Sequence, residues 1–182
     1  MIYQLLHCIL WNWWRHLTTV WASSECWTKN LCTGIVTSPD YCDAVRNKRQ
    51  EGLPGNCNYP NNHEKTKTIE TKPGLLLLLK FNGFDIEDCP MCSCDHLTIT
   101  DGDGTILMKK SCGSEGDLVI GDQQKDFKLP PNIMSRSNRV NFAFVTDDSD
   151  QRPGWSVSWS AVTPPPPKPS PPGERPFLAS LQ

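Results

Sequence analysis

After Cys26 the chain is written in short strand-like runs, most with apolar residues at alternate positions, and no stretch carries a helical period. "TKTIET" (66–71), "RVNFAFVT" (139–146) and "GWSVSWSAV" (154–162) alternate large apolar residues with small or polar ones, as half-buried strands do. "GLLLLLKF" (74–81) is a continuous apolar run of strand length. "HLTITDGDGTILMKK" (96–110) reads as two strands around an Asp-Gly turn, a strong hairpin signal. A strand apolar on one face needs a second sheet to cover it. Short strands with frequent turns therefore point to an all-β, antiparallel sandwich.

Cysteine usage bears on the compartment. Nine cysteines in 182 residues is a density typical of oxidising surroundings. Residues 1–22 open apolar and reach Val20 and Ala22, the small-residue positions that a signal peptidase prefers. They are expected to be a secretory signal, although Arg15 and His16 interrupt the run, which is too short to span a bilayer. Losing that stretch removes Cys8 and leaves eight cysteines. At the other end, "TPPPPKPSPPGERP" opens a proline-rich tail or linker over 163–182, suited to extended polyproline and not to a sheet. The segment 42–57 is polar, rich in turn residues and flanked by cysteines, and reads as an inserted loop closed at its base. A net charge of −2 with scattered Lys and Arg supplies no basic field for nucleic acid or an anionic membrane.

The stretch "CPMCSCDH" (89–96) admits two chemistries. Cys89, Cys92, Cys94 and His96 could supply a zinc knuckle, but zinc sites of that kind draw their ligands from two spaced pairs, and no second pair lies nearby. Disulfides are the expected outcome, with His96 a solvent-facing strand residue. "HEKTK" (63–67) lacks the second His of a zinc-protease helix, and "DGDG" (101–104) lacks the Gly and Glu that a calcium-binding helix–loop–helix requires. With four histidines, two of them in the expected signal, the chain is read as non-enzymatic.

"GIVTSPDY" (34–41), "YPNN" (59–62), "LKFNGFDIE" (79–87), "CSCDHLTITDGDG" (92–104), "SCG" (111–113), "LPPNIMSRSNRVNFAFVTDDS" (129–149) and "GWSVSW" (154–159) follow in the order of a CUB domain. The resemblance covers about 26–162 and implies a jelly-roll-like sandwich that mediates contacts outside cells. It implies a disulfide between Cys92 and Cys112, leaving Cys89 and Cys94 close enough to bridge a tight loop. It departs from the family at Lys65 and Lys67, which stand where a Cys and then a Trp are usual. Cys57 could therefore pair with Cys26, with Cys32, or with Cys42 across the inserted loop; a Cys26–Cys32 pair is open as well.

The sequence resembles the calcium-binding subset of the family in particular. Glu87 ends a Phe-x-x-Phe strand, Asp95 follows eight residues on, and Asp147 lies in "FVTDDS". The resemblance implies that Glu87, Asp95 and Asp147 hold Ca²⁺, with oxygens from Ser149 and Asp150, and that Tyr41 supports the acidic cluster. It also implies that the anionic notch so formed receives a Lys or Arg of an extracellular protein partner. Two other roles are compatible with the residues: an accessory domain of an extracellular protease of astacin-like or trypsin-like type, and a spermadhesin-like glycan binder. A homo-oligomer is compatible too.

Overall fold

The computed structural model describes residues 19–21, 32–42 and 57–166. Most of the expected signal, Cys26, the interior of the inserted loop and the end of the proline-rich tail lie outside the described residues. Eleven strands run in order along this part of the chain: β1 (Thr19–Trp21), β2 (Thr33–Thr37), β3 (Glu64–Glu70), β4 (Leu76–Asp85), β5 (His96–Asp101), β6 (Ile106–Cys112), β7 (Leu118–Ile120), β8 (Gln123–Lys125), β9 (Ile133–Met134), β10 (Arg139–Val145) and β11 (Gly154–Val162). They form two sheets, one in the order β1-β3-β10-β5-β6-β7-β8 and one in the order β2-β11-β4-β9. Every pairing is antiparallel except that of β1 with β3. The fold is thus the antiparallel sandwich that the alternation foretells. No helix among the described residues is long and apolar enough to cross a membrane.

Alternation explains the core. Val140, Phe142 and Phe144 of β10, Leu97 and Ile99 of β5, and Ile69 of β3 turn inward from one sheet. Leu77, Leu79 and Phe81 of β4 and Trp155, Val157, Trp159 and Ala161 of β11 meet them from the other. Phe142 stacks on Trp155, with ring centroids 5.5 Å apart, which joins the two layers near the middle.

One irregularity aims the site. Val157 pairs with Phe81 but Ser156 pairs with Gly83, so Asn82 is an extra residue bulged out of β4. The bulge shifts the inward phase by one, and Phe84 and Ile86 are buried after it where Leu77, Leu79 and Phe81 were before it. Without that step Glu87 would leave the strand on a different side. Asn82 itself donates from Nδ2 to Ser158 Oγ at 2.7 Å on the outer face.

Two disulfides lie among the described residues. Cys92 is bonded to Cys112, tying the turn before β5 to the end of β6. Cys42 is bonded to Cys57, closing the inserted loop at its base and resolving one of the open alternatives for Cys57. Cys89 and Cys94 are adjacent thiols, not a disulfide; the Cys94 N–H donates to Cys89 Sγ at 2.9 Å. His96 is buried, contrary to its expected place in solvent, and burial lowers its pKa.

A candidate metal centre at one end of the sandwich

Three segments converge beside the Cys92–Cys112 bond. Glu87 follows β4, where the backbone of Ile86 bridges that of Gly113. Gly113 has a φ of 87°, and a Cβ there would run into the Asp117 carbonyl, so this crossing depends on glycine. Asp95 immediately precedes β5. Asp147 follows β10 in a loop that hydrogen bonds zip against residues 58–63. Asn62 N donates to Asp147 O at 2.6 Å, Asn61 Nδ2 to Asp148 O at 2.7 Å, and Tyr59 N to Arg152 O at 3.0 Å. Thr146 completes the zipper with its hydroxyl, which accepts from His63 N and donates to Pro60 O.

The carboxylates are held in short range. Carboxylate oxygens of Glu87 and Asp147 and the Cys94 sulfur all lie within 4.8 Å of one another. Asp95, fully buried, accepts the Asp147 N–H at Oδ1 over 2.7 Å. Ser149 donates both its N–H and its hydroxyl to Asp147 Oδ1, at 2.9 and 3.2 Å. Asp150 is in the left-handed region, with a φ of 38°, and its charge reaches Glu87. The expected set of Glu87, Asp95, Asp147, Ser149 and Asp150 thus lies at one end of the molecule.

Two residues alter that set. Tyr59 joins the expected set: its hydroxyl accepts the Glu87 N–H at 3.0 Å and lies against Asp95, favouring the charged carboxylate. Tyr41, expected to support the cluster, has its hydroxyl against Gly83 of β4. The second residue is Cys94, whose expected roles are a disulfide with Cys89 or a share in a zinc knuckle. It sits beside the carboxylates, and its hydrogen bond with Cys89 together with burial pushes its pKa up to about 12. It therefore stands there as a neutral thiol at physiological pH.

The electrostatics describe a cluster short of a cation. Burial, then the charges of Asp147, Asp95 and Asp150, raise the pKa of Glu87. Burial also raises that of Asp95. Exposed Arg152 offsets part of the repulsion on Glu87. Glu87 Oε2 and Asp95 Oδ2 are both buried, and neither has a hydrogen-bond partner among the described residues. A buried carboxylate oxygen without a donor is costly unless something positive faces it. These hard oxygen donors suit calcium, which gathers six to eight oxygens from separate loops, and a neutral thiol does not compete for such an ion.

The model of the family described as "CUB domain" matches residues 42–159. The chain belongs to the CUB domain family. It is similar to cubilin of Sus scrofa, 32% identical over 134 residues, which cover 72% of this chain and 3% of that protein. It is similar also to mannan-binding lectin serine protease 1 of Rattus norvegicus, 29% identical over 141 residues, covering 77% of this chain and 16% of that protein. The chain therefore spans a small fraction of the curated relatives it matches. Among solved structures, the CUB1–EGF–CUB2 region of human MASP-1/3 superposes with a TM-score of 0.54 at 22% identity, covering 72% of this chain and 42% of that one. At that identity the likeness speaks to the fold of the CUB domain and to nothing finer.

Proposed function

We propose that this CUB domain is a secreted, non-catalytic interaction module. Calcium held by Glu87, Asp95 and Asp147, with oxygens from Ser149 and Asp150, orders its acidic end to receive a Lys or Arg of an extracellular protein. The observation that carries the reading is the pair of buried oxygens, Glu87 Oε2 and Asp95 Oδ2, without a hydrogen-bond partner among the described residues, on two acids that each lie beside Asp147. When bound, the ion supplies the positive charge that lets these carboxylates stay ionised together. Tyr59 and the 58–63 zipper hold the loop geometry. Asp147 and Asp150 keep lone pairs for a partner's ammonium or guanidinium, which would donate charge-assisted hydrogen bonds.

Extracellular modules bind calcium at about 10⁻⁴ to 10⁻³ M. At about ten times Kd the ion adds only about 1.4 kcal/mol to stability, so its principal effect is to order loops. Calorimetric titration of the refolded chain with CaCl₂ is expected to show one site in that range. Glu87→Gln should weaken it by about 100-fold, because one buried anionic ligand is lost. In parallel, retention on an immobilised collagen-like peptide carrying Lys at one exposed position should disappear in EDTA, and in a peptide with norleucine at that position. Retention unchanged by EDTA would refute the notch.

A second reading follows from the similarity to a serine protease. Matching 16% of such a protein fits a domain that serves as one accessory module among several. A transcript that continues into a catalytic domain would favour it, and the calcium-dependent contact would then position a protease on its target.

A further inference from the structure

The inward face of β3 and of the residues flanking it has an unusual composition. Residues 63, 65, 67, 69 and 71 share that face at two-residue intervals, and the row reads His63, Lys65, Lys67, Ile69, Thr71. Three basic side chains thus stand along one face, His63 and Lys67 half-buried and Lys65 exposed. In the register of the pair, Lys67 lies opposite Phe142 and Lys65 opposite Phe144. A cavity of about 230 Å³ opens there, lined by Pro39, His63, Lys65, Lys67 and the aromatics Phe142, Phe144 and Trp155.

The polar groups around this space are undersupplied with partners. Lys67 Nζ donates to Thr37 O at 2.6 Å and uses one of its three hydrogens in doing so. Among the described residues no carboxylate forms an ion pair with Lys65 or Lys67. The charge of Asp40 is felt at His63, where it opposes the effect of Lys65 and Lys67. The Trp155 indole N–H is buried without an acceptor among the described residues. Floor and wall are aromatic, with Trp155 stacked on Phe142 and edge-on to Phe144.

We propose that this cavity is a binding site for a small aromatic anion, an arene bearing a short carboxylate or sulfonate arm. An apolar cavity of about 150 Å³ is enough to take up benzene. The space here holds a ring against Phe142, Phe144 and Trp155 and leaves room for an acidic arm. Lys65 and Lys67 take the anion with charge-assisted hydrogen bonds from nitrogens that no carboxylate among the described residues has claimed. The site uses none of the carboxylates assigned to calcium and requires no ion.

The probe is 3-phenylpropionate, titrated into the ¹⁵N-labelled refolded chain in EDTA and followed by the indole N–H resonance of Trp155. A saturable shift with one site per chain is expected, and 3-phenylpropanol should bind about tenfold more weakly because it lacks the charge. Lys67→Met should weaken the acid about tenfold and leave the alcohol unaffected; Lys65→Met is the second variant should the first fold poorly. Lys67→Trp, which fills the space, should abolish binding of both while the melting temperature holds or rises. Absence of a saturable shift at millimolar acid would overturn the proposal. So would equal affinity for acid and alcohol, which would leave Lys65 and Lys67 without a part in binding an anion.

Discussion

The acidic end and the basic row of β3 are both crowds of like charge at the border of the core, and they manage the crowding in opposite ways. Asp95 and Glu87 have shorter side chains, and each buries an oxygen that has no hydrogen-bond partner among the described residues. Lys65 and Lys67 have long apolar stems, so Lys65 remains exposed and Lys67 reaches across to a carbonyl of β2. A short acid in a loop must be met by a cation brought to it, whereas a long base can lean toward one. Covalent support divides the same way. The acidic end has Cys92–Cys112 beside it, while position 65, where the family commonly has a cysteine, holds a lysine.

The largest expected effect breaks that staple. Cys92→Ala combined with Cys112→Ala opens a loop with a sequence separation of 20. Loss of about 3 kcal/mol is expected in urea unfolding, from the added freedom of the unfolded chain. Calcium affinity should fall at least tenfold, because Asp95 and Glu87 lie on either side of Cys92. Binding of 3-phenylpropionate should persist in whatever fraction remains folded. Equal damage to both sites would show that the two regions are one cooperative unit and remove the contrast.

Next in size is the comparison of two tyrosines. Tyr59→Phe takes away the acceptor of the buried Glu87 N–H, an orphaning that costs about 1–2 kcal/mol. Calcium binding should weaken about tenfold by titration calorimetry. Tyr41→Phe, at Gly83, should weaken it much less. The reverse ranking would return the supporting role to Tyr41.

These tyrosines also show where reading residues alone stops. The hairpin of β5 and β6 is legible because Asp-Gly punctuates an alternating run, and its loop closes with Asp101 N donating to Thr105 O. Strands β10 and β11 are legible for the same reason: large residues at every second position need a partner sheet. Strands β7, β8 and β9 have two or three residues each, too few to establish a period, and exist because neighbours pair with them. The bulge at Asn82 is hidden inside an apolar run, where a shift of phase leaves no mark. At the acidic end, the spacing of Glu87, Asp95 and Asp147 carries the motif, but the bond from Glu87 N to the Tyr59 hydroxyl joins residues 28 apart, which no local pattern encodes. Cys94 escapes for a related reason. Its closeness to Asp147 is a property of two loops meeting, which spacing within one loop does not encode.

The smallest expected effect separates the regions by the sign of their pH dependence. Glu87 has a folded-state pKa above its ordinary 4.5, chiefly through burial. Between 4.5 and that raised value the folded chain holds more protons than the unfolded one, so stability in EDTA falls as pH rises through the window. His63 behaves oppositely. Burial, Lys65 and Lys67 lower its pKa below 6.5, so the unfolded chain holds the extra proton, and stability is lost as pH falls from 6.5 toward the folded value. Buried His96 adds to the same side. Urea unfolding in EDTA from pH 4.5 to 8 should therefore show two slopes of opposite sign. Calcium should reduce the falling slope to the share left by Asp85, whose pKa burial also raises, since it holds the clustered carboxylates ionised, and leave the histidine slope in place. His63→Gln should shrink the rising slope without changing the calcium-sensitive one. A calcium effect confined to the rising slope would mean that the ion acts near the histidines, and the acidic end would lose its claim to it.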